Sequence, residues 1–209
     1  MSEIRPDPRR PTLVPRPALA GAALPGRHGN PEGGPGVVMA ERIGIGLATL
    51  AVRKGKAAAL DGMVQAVYGA ALPDSALLAA GPHAAFIGTG PGQWLAVSEH
   101  LAHGALAADL AAKLAGLASV SDQSDGRAVI RIAGPRARDV LAKGLPIDLH
   151  PSVFRPTTAA TGSIALMGVT LWQVDDMPTY DVAVFRSLAG SFWTWLTASA
   201  AEFGYEVSE

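Results

Sequence analysis

At 209 residues, with 49% hydrophobic and only 17% charged side chains, the chain is long enough for one large or two small cores and has a lightly charged surface. A formal net charge of −1 leaves no basic footprint for a phosphate backbone, which argues against nucleic acid as a partner. The absence of cysteine excludes disulfides, thiolate catalysis and Cys-based zinc or iron–sulfur sites.

Residues 1–36 are dominated by Pro, Gly and Arg, with Leu13, Val14 and Leu19 too scattered for a periodic face. Pro at this density forbids helix and predicts an extended or disordered arm, either a free tail or one that orders against a partner subunit. Its removal is expected to leave the rest folded and to weaken assembly. The start at Met1 shows no basic, apolar leader, and no apolar run reaches the roughly 18 residues of a membrane span, so a cytoplasmic protein without membrane contact is expected.

Ordered structure is predicted from Val37, with a strand in the apolar run Ile43–Val52. Lys54-Gly55 leads into a helix whose face is Leu60, Met63, Val64, Val67 and Tyr68, broken by Pro73-Asp74. Strands around His83–Ile87 and Gln93–Ser98 flank Gly88-Thr89-Gly90-Pro91-Gly92. A helix from His103 to Gly116 carries Leu106, Leu110, Leu114 and Leu117, and a strand follows at Ala118–Ser121.

The clearest pattern comes next. After the turn Asp122–Gly126, Ala128, Ile130 and Ile132 alternate with Arg127, Val129 and Arg131, as in a half-buried strand. Gly134-Pro135 opens a helix with the stripe Ala137, Val140 and Leu141, and Gly144 and Pro146 close it. Strands are expected at Thr161–Leu166, Val169–Val174 and Asp181–Phe185. A last helix over Ser187–Glu202 places Leu188, Phe192, Trp195, Leu196 and Phe203 on its core side, leaving Trp193 roughly 160° to 200° away, either against a loop or in a subunit interface. Each half reads strand-helix-strand-strand-helix, so the predicted class is α+β, with two ferredoxin-like split β-α-β units at residues 37–121 and 122–209.

Several clusters invite a chemical reading. Gly88–Gly92 lacks the third dinucleotide-fingerprint glycine, since Gln93 stands there, and a strand rather than a helix follows, so it reads as a hairpin turn. His100 and His103 lie beside Glu99, but His28, His83 and His150 are scattered, and a solvated helix start accounts better for the pair than a metal. Ser119, Ser121 and Ser124 have no nearby His and no nucleophile-elbow motif. Asp175 and Asp176 would point to opposite faces of a strand and more simply begin a turn before Pro178.

Asp125-Gly126-Arg127, Gly134-Pro135-Arg136-Ala137, Ile147-Asp148-Leu149-His150-Pro151 and Gly90-Pro91-Gly92-Gln93-Trp94-Leu95 resemble segments of the glycine-cleavage T-protein and YgfZ-like folate-binding superfamily. With Trp172–Thr179, Arg186-Ser187-Leu188-Ala189, Trp193 and Trp195, the resemblance is greatest to the gamma-subunit family of heterotetrameric sarcosine oxidases. It covers about Val37 to Phe203.

That resemblance implies a non-catalytic subunit with no catalytic, cofactor-binding or metal-ligating residues of its own. The alpha, beta and delta subunits would be its partners and would carry NAD and tetrahydrofolate, flavin (FAD and FMN), and zinc. The complex would demethylate sarcosine oxidatively to glycine, hydrogen peroxide and methylenetetrahydrofolate. The alternative is a free-standing folate-binding protein. Active superfamily members grip the pterin with a Glu of a Gly-Glu pair before a Gly-aromatic-Glu strand start. Aligning Tyr180-Asp181 with the latter puts Asp176-Met177 at the pair, so that carboxylate is missing, with Asp176 or Asp181 as its substitutes.

Overall fold

The computed structural model describes residues 16–30, 32–102 and 104–208. Expectations for residues 1–15 and for His103 lie outside that range. In chain order the elements are β1 (Gly26–His28), β2 (Val37–Glu41), β3 (Gly46–Val52), α1 (Ala57–Tyr68), β4 (Leu78–Ala80), β5 (Ala85–Gly90), β6 (Gln93–Ser98), α2 (Ala105–Lys113) and β7 (Ala118–Asp122). There follow β8 (Arg127–Ala133), α3 (Ala137–Ala142), β9 (Ala159–Ile164), β10 (Met167–Asp175), β11 (Thr179–Phe185), α4 (Ala189–Ala200) and β12 (Tyr205–Val207).

The strands form two sheets, one ordered β4-β5-β6-β3-β7 and the other β1-β12-β2-β8-β11-β10-β9. Leu60, Val64 and Tyr68 of α1 and Leu106 and Leu110 of α2 pack with Leu50, Phe86 and Ala96 on one face of the five-stranded sheet. Its other face meets the seven-stranded sheet through Leu47, Ile87 and Leu95 against Val129, Trp172 and Ala183. Helices α3 and α4 cover the far side through Val140, Leu141, Phe192 and Leu196, packed on Ile130, Ile132, Leu171 and Val182. The layers therefore run helix, sheet, sheet, helix, each strand face buried according to its alternation. In β8 the alternation is as expected: Ala128, Ile130 and Ile132 face the helices, and Val129 faces the other sheet.

Several details differ from the sequence reading. Helix α1 stops at Gly69, whose left-handed φ of 68° lets its N–H reach the Gln65 carbonyl, before Pro73-Asp74 is reached. Met63 is exposed, because the buried stripe follows Leu60, Val64 and Tyr68 at i, i+4, i+8. The short strands β1, β4 and β12 were not legible. Strand β2, counted with the first unit, pairs with β8 and β12 in the seven-stranded sheet.

Ordered structure begins well before Val37. The Glu41 carboxylate accepts the N–H groups of Ala18 and Leu19 at 2.7 and 2.8 Å, Leu19 is buried in the core beneath α3 and α4, and β1 pairs with β12. Deleting residues 1–36 would therefore strip core surface rather than leave the domain whole. The Pro content forbids helix in this segment but not docking, because one acidic side chain satisfies two consecutive amides.

The last helix is rotated from its expected setting. Trp193 is 6% exposed, whereas Trp195 is only partly buried, with its ring against Gly144 and Phe192. Ala189, Phe192, Trp193, Leu196 and Ala200 make the i, i+3, i+4, i+7, i+11 stripe, and counting the two alanines shifts its centre onto Trp193. Trp193 is thus a core residue and not an interface anchor.

Candidate functional site

The two sheets part at one end to leave a cavity of about 390 Å³, with apolar walls from Ile45, Leu78, Val97 and Trp172. Its charged side is built by strand register. Arg131 of β8, Asp181 of β11 and Trp172 of β10 form one cross-strand row, on the face turned toward the five-stranded sheet. Arg131 donates from Nε and Nη2 to Asp181 Oδ1 and Oδ2, both at 2.8 Å, a bidentate pair. Arg42, just past β2, adds an Nη1 donor to Asp181 Oδ2 at 3.1 Å and an Nη2 donor to Glu99 Oε1 at 2.6 Å. The chain Arg131–Asp181–Arg42–Glu99 ties the seven-stranded sheet to the end of β6.

The Asp181 side chain is 5% exposed and faces two guanidiniums, which supply the cations that a buried carboxylate requires. The same pairing raises the Arg131 pKa above its ordinary value. Both Asp181 oxygens are engaged by guanidiniums, which disfavours this carboxylate as a base or as a grip for a pterin. Thr157 forms another part of the wall in a left-handed conformation, φ 74°, strained for a β-branched residue. It is held by its carbonyl accepting from Leu78 N–H at 2.7 Å and its own N–H donating to the Gln173 carbonyl.

Glu99 is largely exposed, and its hydrogen bond from Arg42 lowers its pKa despite partial desolvation. A carboxylate depressed in the folded state contributes stability above its unfolded pKa and loses it as pH falls through the folded value. Glu99→Gln should therefore lower stability at neutral pH by less than about 1 kcal/mol, and the difference should shrink toward pH 2. Denaturant melts at the two pH values check this.

The other sequence candidates are dispersed. His83 and His100 line the cavity, where Ser98 Oγ donates to the His83 carbonyl at 2.6 Å and accepts the His100 and Leu101 amides, which fixes backbone rather than a reactant. His28 stacks on Tyr205, and His150 contacts Ser152. Among the described residues no three His, Asp or Glu side chains converge as metal ligands. Ser124 bonds to Asp122 and the Leu47 backbone. Asp175 Oδ1 accepts the Met177 N–H in the turn that also holds exposed Asp176. Strand β5 runs through Gly90, and Pro91-Gly92 turn the hairpin. Gly88 is required by close approach, since an added Cβ would stand 2.0 Å from the Ser75 carbonyl oxygen.

Sequence reading flagged Asp181 but missed its partners Arg42 and Arg131. The available signal was a lone Asp in the apolar strand Tyr180-Asp181-Val182-Ala183, since a buried carboxylate demands a cation on a neighbouring strand.

A family model described as sarcosine oxidase, gamma subunit family, matches residues 54–202. The sarcosine oxidase subunit gamma of Corynebacterium sp. (strain P-1) is 34% identical over 118 residues, 54% of this chain and 58% of that protein. The one from Arthrobacter sp. is 36% identical over 92 residues, 44% of each. The aligned region thus spans about half the length of these curated relatives. In structure, the chain is similar to a chain of the heterotetrameric sarcosine oxidase from Corynebacterium sp. U-96 in complex with pyrrole 2-carboxylate. The TM-score is 0.77 and the identity 26%, covering 91% of this chain and 97% of that one. It shares its fold with part of the glycine cleavage system aminomethyltransferase T from Bartonella henselae, at TM-score 0.58 and 12% identity, covering 82% of this chain and 47% of that one.

Proposed function

The chain belongs to the sarcosine oxidase gamma subunit family, and from that premise we propose that it is the non-catalytic gamma subunit of a heterotetrameric sarcosine oxidase. It assembles with alpha, beta and delta subunits and fixes their geometry. The observation that carries this reading is the likeness to one chain of such an oxidase over 97% of that chain. The reaction of the whole is oxidative demethylation of sarcosine, with FAD, FMN, NAD, tetrahydrofolate and zinc held by the other subunits, in the cytoplasm. Among the described residues no helix is long and apolar enough to cross a membrane.

The site supports a structural role, because its charged groups spend their bonding on one another. Exposed large apolar side chains, among them Leu24, Ile43, Val153 and Leu166, support a partnered surface. The fold proposed with this role is a pair of ferredoxin-like units, nominally 37–121 and 122–209, preceded by a Pro/Gly-rich arm at 1–36. The orders β5-β6-β3-β7 and, with β2 inserted, β12-β8-β11-β10 favour it. Against the free-standing folate-binding alternative, which needs a carboxylate at Asp176 or Asp181, both Asp181 oxygens are engaged, while Asp176 stays exposed in the turn before Pro178.

Co-expression of the tagged chain with its neighbouring genes tests the proposal. A yellow complex whose mass spectrum contains three further subunits is the expected result; a colourless chain eluting alone would overturn it.

A further inference from the structure

At the end of the seven-stranded sheet where β8 starts and β11 finishes, a second cavity of about 140 Å³ is lined by Arg16, Ile43, Asp125, Arg127 and Arg186. Arg127 and Phe185 are cross-strand partners, and the guanidinium lies 4.7 Å from the ring centroid. Arg127 Nε is buried with no hydrogen-bond partner, and burial lowers its pKa. Among the described residues none of Arg16, Arg127 and Arg186 has a carboxylate partner. Arg186 donates to the Arg16 carbonyl. The two carboxylates at the cavity do not fill the gap: both Glu41 oxygens accept the Ala18 and Leu19 amides, and Asp125 faces solvent. Arg127 is half-buried, and its Nε, shielded from water with no acceptor, leaves this arrangement incomplete as it stands.

Apolar side chains flank the same end. Ile43 is 66% exposed and Phe185 47%. Because Val169 pairs with Val184, the β9–β10 tip lies at this end too, and it carries Leu166 at 98% exposure. Leu166 and Ala165 have φ of 68° and 47° in a two-residue turn that ordinarily takes Asn-Gly. Exposed aliphatic and aromatic side chains around unpaired arginines are the composition of an interface core rather than of free surface.

We propose that this end of the sheet docks an acidic, apolar-flanked surface of another subunit of the oxidase, with a partner carboxylate entering the cavity among Arg16, Arg127 and Arg186. The inference rests on the subunit reading above and assigns the face through which assembly occurs. Charge complementarity selects the partner: three arginines that have no counter-ion among the described residues repel a basic surface and lose hydration against a neutral one.

The test is recovery of neighbouring-gene subunits with the full-length tagged chain, quantified by mass spectrometry. Arg127→Glu combined with Arg186→Glu, and separately Ile43→Glu at a solvent-facing loop position that the fold tolerates, should each cut recovery by roughly tenfold or more. Met177→Glu, at the opposite end of β10, should leave recovery unchanged. Wild-type chain eluting without partners would overturn both the subunit reading and this surface. Wild type retaining its partners while both the arginine and Ile43 variants retain them equally would overturn the surface alone, as would an equal loss from Met177→Glu.

Discussion

Replacing Asp181 with Asn is expected to destabilise the protein by about 3–5 kcal/mol, the loss typical of removing one partner from a buried ion pair. Asn keeps the shape of the carboxylate but leaves Arg131, which bonds both oxygens, and Arg42, which shares one of them, facing a neutral group. Among the described residues Asp181 is the one buried side chain that carries a charge, and it is the hinge of a chain of charges joining the two sheets. Urea unfolding of the full chain measures the effect. A loss below about 1 kcal/mol would mean that water entering the cavity satisfies the guanidiniums, as it does for exposed pairs. Asp181→Leu with Arg131→Met should cost less than Asp181→Asn, because it removes the bidentate pair together and leaves only Arg42, which keeps Glu99 as its counter-ion.

The second large effect lies in α4. Trp193→Ala should cost about 3–5 kcal/mol, and Trp195→Ala roughly half as much, by the usual dependence of large-to-small substitutions on burial. Trp193 sits within the cluster formed with Phe192 and Leu196, while Trp195 covers its edge beside Gly144. Denaturant midpoints of the two variants decide the matter. A larger loss at Trp195 would restore the setting of the helix that the sequence suggested and refute the stripe centred on Trp193.

That reversal shows where periodicity loses resolution. With three large aromatics within four positions, a 3.6-residue period leaves two settings nearly equivalent, and small residues such as Ala189 and Ala200 decide between them through packing against α3 and the sheet. Likewise, Leu19 in a Pro-rich segment gives no periodic signal at all. Its burial depends on Glu41, some twenty residues away, offering both oxygens to the backbone.

The sequence by itself determined the elements whose information is local. These are the alternation of β8, the Gly and Pro signals around α3, the Leu stripe of α2, the β5–β6 hairpin and the motifs that resemble the sarcosine oxidase gamma subunit family. Only the tertiary structure decided what depends on two distant segments meeting. It placed β2 between β12 and β8, docked residues 16–28 on the second sheet and brought Arg42, Glu99, Arg131 and Asp181 into one chain of charges. The physical reason is that periodicity and turn chemistry act over a few residues, whereas strand order and the pairing of a buried charge are set by which surfaces remain uncovered once the local elements have formed.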